Sequence, residues 1–300
     1  SLTTVITNYR SYVQAVKSLE ITRQSLERSR ELVATNRELI AAGRMAAIEI
    51  VQSEADLANQ ELSLLNAENS LDAARLALTQ AIDIDNNTRL TPVAETEIPA
   101  VPYTLTQARQ LAFRNRVDYQ KALIGFEKVK RDLIIKKRNR LWQLDFTSNY
   151  KNDYINNGSW SAALSLTIPL DNLYRTSTER QNLITAEIGL KTAENDLAVM
   201  RKNIEVEIQN ALRSAEMNYR QIKLATLART LSEKKVEIET EKLKAGRSTN
   251  FQLVSYQNDL KNAQNSELSA VITYLNALST LESSLGITLE RWGVTLAERQ

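Results

Sequence analysis

The sequence predicts a mainly α protein of long antiparallel coiled-coil helical hairpins in two repeats, interrupted by one amphipathic β-hairpin. Three observations predict it. Slid against itself so that Gly43 lies on Gly246, the chain matches without a gap for about forty residues. Val51 meets Val254, Asp56 meets Asp259, Leu65 meets Leu268, Ala74 meets Ala277, Leu78 meets Leu281 and Ile84 meets Ile287. Only 7 Gly and 4 Pro punctuate 300 residues, too few for short elements. Apolar residues recur every seven positions almost throughout, but across 141–170 they alternate with polar ones.

Residues 1 to about 42 read as helix, with Leu19, Leu26, Val33 and Ile40 on one seam. The chain starts inside this helix without an N-terminal cap or signal peptide, as expected of a mature or trimmed protein. Gly43 supplies the stop. A return helix follows from about Ala46 to Ile84, on Leu57, Leu64, Leu71 and Leu78 with Ala67, Ala74 and Ala81 beside them. Alternating large and small positions suit close antiparallel packing. Residues 1–87 thus form the first hairpin, its tip at 42–46. Pro92, Pro99 and Pro102 make 88–103 an extended linker.

Two more helices fill 104–140, from Thr104 to Arg114 and from Val117 to Arg140. Thr104 or Thr106 is the expected cap of the first. The second carries Leu123, Phe126, Val129, Leu133 and Ile134 on its apolar side. In 141–170, Trp142, Leu144, Phe146 and Tyr150 alternate with polar residues. After the turn signal Asn156-Asn157-Gly158, Trp160, Ala162, Leu164, Leu166, Ile168 and Leu170 resume the alternation. Strands of about ten residues, greasy on one face and small or polar on the other, match a transmembrane β-hairpin. Residues 171–286 hold the second helical hairpin, on Leu183, Leu190, Leu197, Ile204 and Ala211, with its tip at 245–248. A short tail, 287–300, contains Trp292.

A two-stranded ribbon cannot stand alone in a bilayer, because its edges leave backbone groups unpaired. Shifted by the repeat spacing, 141–170 falls before Ser1, so another strand pair with flanking helices is expected upstream. Two ribbons per subunit in a trimer give about 12 strands, a size known for outer-membrane barrels, whereas one gives about six.

Composition narrows the function. The net charge is +2 with signs interleaved, which is not a nucleic-acid footprint. The one dense basic run, Lys128 to Arg140, reads as a solvated helix face near a membrane surface. With neither Cys nor His, cysteine–histidine zinc sites and Cys or His catalysis are excluded. No apolar run reaches the length of a transmembrane helix. No phosphate loop, nucleophile–base pair or metal-ligand cluster appears, so neither an enzyme nor a cofactor is expected.

The paired Ala-Gly-Arg turns at 42–44 and 245–247, each leading into a Val-led Leu/Ala heptad helix, stand beside the strand Ser159 to Leu170 and the stretch Leu105 to Tyr119. In this order and spacing they resemble the TolC-type outer-membrane efflux channel family, across nearly the whole chain but without the family's N-terminal part. The resemblance implies a homotrimer whose strands share one barrel in outer-membrane lipid and whose helices form a tunnel across the periplasm. It implies a periplasmic adaptor docked on the hairpin tips and, behind it, an inner-membrane transporter that selects the cargo. The expected docking residues are Gly43, Arg44, Gly246 and Arg247. Family members constrict the pore with acidic residues just past each tip glycine. Here Glu49 keeps a carboxylate, but Gln252 and Ser255 do not, which departs from a charged gate. Trp142, Leu144, Phe146, Trp160, Leu164, Leu166 and Ile168 are the expected lipid-facing residues. Asp56 and Asp259 are read as bonding within the coiled coil rather than holding metal. A scaffold rod is the rival reading, but it has no use for two Trp-bearing strands. An adaptor would have one helical hairpin and Gly-rich small domains, not two hairpins and 7 Gly.

Overall fold

The computed structural model describes residues 2–86, 88, 90–93, 98–138, 141–151, 158–168 and 178–294. Its elements are α1 (Leu2–Ala41), α2 (Glu49–Ile82), α3 (Leu105–Asn115), α4 (Val117–Arg138), β1 (Gln143–Lys151), β2 (Ser159–Thr167), α5 (Thr178–Lys244), α6 (Asn250–Leu285) and α7 (Thr288–Arg291). Helical hairpins and one strand pair are thus present as expected. Asn87, the turn at Asn156-Asn157, Pro169, Leu170, the start of the helix expected from about 172, and the end of the tail lie outside the described residues.

The repeat extends to the helix ends. Shifting Gly43 onto Gly246 carries Ala41 onto Lys244, where α1 and α5 end, and Ile82 onto Leu285, where α2 and α6 end. Each of the latter is followed by a left-handed residue, Asp83 (φ 56°) and Gly286 (φ 74°). Asp is among the few side chains that tolerate this conformation. At Gly286 glycine is required twice over, because a Cβ would also lie 3.0 Å from the Asn115 backbone.

The chain divides into two compact units, and the division cuts across the expected boundaries. The first draws on Ser1–Leu105, Gln209–Ser283 and Thr288–Gln300. The second draws on Thr106–Ile208 and Ser284–Ile287, so α5 contributes to both.

In the first unit α1, α2, α6 and the second half of α5 share one core. Leu19, Leu26 and Val33 are buried as their seven-residue spacing predicts. Leu32 of α1 packs with Val236 and Leu243 of α5 and with Leu253, Val254 and Leu260 of α6. Buried Arg10 ties α1 to α6, donating to the Leu275 carbonyl (2.6 Å) and Ser279 Oγ (2.9 Å). Three tyrosines strap the Pro-containing linker down, since Tyr9 donates to the Val93 carbonyl, Tyr12 to Leu90 and Tyr274 to Pro99.

Within the first third or so of α2, around Asp56 and Gln60, lies a buried polar layer. Ser29 donates to Asp56 (2.8 Å), which also accepts from Asn258 (3.3 Å) and Gln60 (3.4 Å). Lys261 donates to Gln60 (2.9 Å), and burial pushes its ammonium down from the usual lysine range against the pull of Asp56. Asp56 therefore bonds within the bundle, as expected. Its repeat-mate Asp259 is exposed and pairs with Lys235 (3.4 Å).

In the second unit, Ala108 and Ala112 of α3 are fully buried, and Arg201 Nε donates to buried Tyr119 (2.7 Å). Arg116 grips Asp118 with two nitrogens (3.1 and 2.8 Å) and reaches Glu207 (2.7 Å). Its guanidinium holds the Asp118 carboxyl below the ordinary carboxylate range.

Several expectations need correction. Of the two caps expected for α3, Thr104 stands at the cap position just before Leu105, whereas Thr106 lies inside the helix. Leu133 is buried but Ile134 is 47% exposed, because one more residue rotates it off the apolar stripe. The tail contains α7, which ends in a left-handed Gly293 (φ 62°). α2 and α6 start at Glu49 and Asn250, about three residues later than expected, because the reversals occupy those positions.

Removing the Asp56 carboxylate strands buried Ser29 and half-buried Asn258. Asp56→Ala should cost about 1–3 kcal/mol, and Asp56→Asn, which keeps an acceptor, less. Urea unfolding followed by helical circular dichroism measures both.

Candidate functional sites at the helix tips and the strand hairpin

The first tip ends α1 by a six-residue closure. Gly43 N–H donates to the Ile40 carbonyl (3.0 Å) and Arg44 N–H to Leu39 (2.9 Å). The second tip repeats it, with Gly246 to Leu243 (2.9 Å) and Arg247 to Lys242 (2.8 Å). These paired bonds are the Schellman motif, which requires a left-handed residue at the glycine position. Both glycines have φ +69° and open space around them, so conformation alone selects them. The repeated arginines owe their place in the cap to the backbone N–H.

Their side chains diverge. Arg44 Nη2 donates to the Lys244 carbonyl (3.1 Å), satisfying the C-terminus of α5. Among the described residues the Arg247 side chain, which is exposed, makes no hydrogen bond or ion pair. A second stitch joins the tips, because fully buried Asn250 donates to the Glu49 carbonyl (2.9 Å). Thr249 caps α6 by accepting from Gln252 N–H (3.3 Å). Its repeat-mate is Ala46, and Ile48, at the corresponding cap of α2, makes no side-chain cap bond.

Of the constriction candidates, Glu49 opens α2, half-buried, with its carbonyl against Asn250; Gln252 and Ser255 are half-buried in the first two turns of α6. The structure thus brings Glu49 to the second tip. Two features escaped the sequence reading. Ser248 donates to Glu239 (2.5 Å), and this bond, with Lys242 second, holds the Glu239 carboxyl below its ordinary range. Ile48 and Phe251, repeat-mates just past the two tips, stand 73% and 67% exposed. The signal for this pair was present in the repeat alignment.

The strand hairpin is antiparallel and pairs Leu144 with Leu166, Phe146 with Leu164, Ser148 with Ala162 and Tyr150 with Trp160. The alternate row pairs Gln143 with Thr167, Asp145 with Ser165, Thr147 with Ala163, Asn149 with Ser161 and Lys151 with Ser159. Residues directly opposite share a face, so the apolar sets of the two strands coincide. Trp142 and Ile168 continue the apolar row just beyond the strand ends. Ser148 interrupts this face and accepts from Trp160 Nε1 (3.1 Å), which satisfies the indole without water. Every strand residue is exposed; Phe146 is at 68% and Leu164 at 69%. Trp142 lies at one end of the apolar band and Tyr150 with Trp160 at the other, eight residues apart along β1, or about 26 Å. Tilted as barrel strands are, that length spans about 20 Å of height, most of the apolar band on outer-membrane barrels, with aromatic residues at both rims. No helix among the described residues is long and apolar enough to cross a membrane, and no group of His, Cys, Asp or Glu among them could hold a metal ion.

No family model and no curated protein matches the chain. Solved structures do. A membrane protein from Pseudomonas aeruginosa is 18% identical with a TM-score of 0.68, over 95% of this chain and 67% of that one. CusC, described for its folding and transmembrane channel formation, is 15% identical with a TM-score of 0.71, over 95% of this chain and 67% of CusC. The outer-membrane protein VceC from Vibrio cholerae is 16% identical with a TM-score of 0.66, over 95% of this chain and 69% of VceC. The chain therefore has the fold of these membrane proteins and spans about two thirds of their length.

Gly246→Ala places a Cβ in the left-handed region, a strain of about 1–2 kcal/mol. The Arg247 amide, which closes the cap, should then exchange its hydrogen about five- to thirtyfold faster. Amide exchange measured at the tip checks this.

Proposed function

We propose that this chain is the larger part of an outer-membrane exit channel, a homotrimer that passively conducts substrates delivered by an inner-membrane transporter and its periplasmic adaptor. The observation that carries the reading is the hairpin register. One face is apolar, uncovered and bounded by aromatics, and the other is small and polar. Such a ribbon is stable only where lipid covers one face, water the other, and further strands pair both edges. The likeness to outer-membrane channel structures supports it. The helices then extend into the periplasm. A scaffold rod would leave the exposed apolar ribbon without a partner.

Within this reading the tips are the adaptor-docking surface. Gly43 and Gly246 shape it, Arg247 offers donors, and Arg44 holds the two tips together. Ile48 and Phe251 supply the apolar anchors that interfaces favour at their centre. Glu49, Gln252 and Ser255 line the narrowest part of the conduit. Three copies of Glu49 at a threefold axis place like charges close together and favour cations.

Leu164→Arg puts a charge on the lipid face near mid-height, where it costs about 2–4 kcal/mol. It should deplete trimers from the outer-membrane fraction, whereas Ala163→Arg, on the opposite face, should not. Mass photometry of detergent extracts measures the trimers, and equal loss in both variants refutes the channel reading. Glu49→Ala should raise single-channel conductance and weaken cation preference; unchanged values remove Glu49 from the pore.

A further inference from the structure

Two helices of the first unit carry a second apolar seam that the chain leaves uncovered. On α2, Val51, Ala55, Ala58, Leu62 and Leu65 follow alternating four- and three-residue steps. Val51 is 57% exposed, Leu62 58% and Leu65 64%. On the second half of α5, Met217, Leu224, Leu227, Leu231 and Ile238 keep the same heptad spacing, each more than half exposed. A helix with seams on two sides packs between two neighbours.

The seams lie on opposite flanks of the unit. Along its body α2 contacts α1, through Ser29–Asp56 and Arg37–Glu54, and α6, through Asn258–Asp56. This half of α5 contacts α6, through Lys235–Asp259 and Arg229–Glu267, and α1, through Leu32. α1 and α6 touch directly through Arg10. So α1 and α6 form the centre, and α2 and α5 the edges.

The seams also match in level. Val51 lies eight residues after Gly43, and Ile238 eight before Gly246. Ala58 and Leu231 are each fifteen away, Leu62 and Leu227 nineteen, Leu65 and Leu224 twenty-two. Small Ala58 thus meets large Leu231, and at twenty-six both helices carry a polar residue, Asn69 and Arg220. The tip stitches Glu49–Asn250 and Asp56–Asn258 keep the glycines level to within two residues. α2 leads away from the tips and α5 towards them, so the two would meet antiparallel, with a positions facing d positions.

We propose that the α2 seam of one copy packs antiparallel against the α5 seam of the next, with Leu62 level with Leu227 and Leu65 with Leu224. Two different faces joined head to tail close into a ring under rotational symmetry. The proposal rests on the trimer reading above and adds to it the faces and their register.

The chain has no cysteine, so introduced pairs report without background. The intact protein is tested in outer membranes under mild oxidation. Leu62→Cys/Leu227→Cys and Leu65→Cys/Leu224→Cys should shift from monomer to covalent dimer and trimer on non-reducing gels, and revert with reductant. Leu62→Cys/Met217→Cys, out of level by ten residues, should stay monomeric. Trimers by mass photometry in which neither level pair cross-links overturn the seam and leave the trimer standing. A protein that extracts as a monomer overturns the trimer reading itself.

Discussion

A helix of 40 residues can share a seam with the next only if the chain reverses almost on the spot. The structure meets this constraint twice with the same three bonds around a glycine at φ +69°. A reversal that cannot fray fixes where each helix ends, hence the level at which its heptads begin. Every later match of layers, from Leu32 among Val236 and Leu253 to the Ser29–Asp56 pair, inherits that level. A loop of another length would slide one helix past the other and bring seam positions opposite charged ones.

Periodic features were therefore legible before the structure. A heptad or an alternation repeats its message many times, so single exceptions do not obscure it. Leu19, Leu26 and Val33 were found inside, and the two strand faces fell into register as their alternation required. The tip glycines were legible because a residue without a Cβ twice stood where a helix had to stop. Contacts between residues some two hundred positions apart were not. Nothing local marks Asn250 as the donor to Glu49, or Arg44 as the cap of α5. Nor could spacing show that Asp56 is buried while its equivalent Asp259 pairs with Lys235 in solvent. Ser148, a polar gap in an apolar row, made sense only once Trp160 was seen to need an acceptor.

The first unit is stable internally yet unfinished externally. Its central helices α1 and α6 bury both flanks, whereas α2 and α5 bury one each and leave leucines such as Leu65 and Leu224 in the open. The hairpin has the same character, since among the described residues both sheet edges are unpaired and its apolar face is bare. In a soluble monomer such surfaces invite aggregation. In the proposed trimer both kinds of surface would be covered, the helix seams by neighbouring subunits and the ribbon by lipid and further strands.

Duplication gave the two halves one backbone but not one chemistry. Each tip has the same cap, yet the first donates its arginine to the second, and the second leaves its arginine in solvent. The second also has a capping Thr249 and the Ser248–Glu239 bond, where the first has Ala46 and Met45 facing Asn36 in the alignment. Ile48 and Phe251 differ in shape at equivalent exposed positions. In the proposed trimer, six tips of two kinds would alternate. A partner that grips every tip alike can read only the shared backbone turn, whereas one that distinguishes them must read the side chains that diverged. The backbone requirement accounts for the glycine in both turns, and the side chains around them differ because the cap places no demand on them.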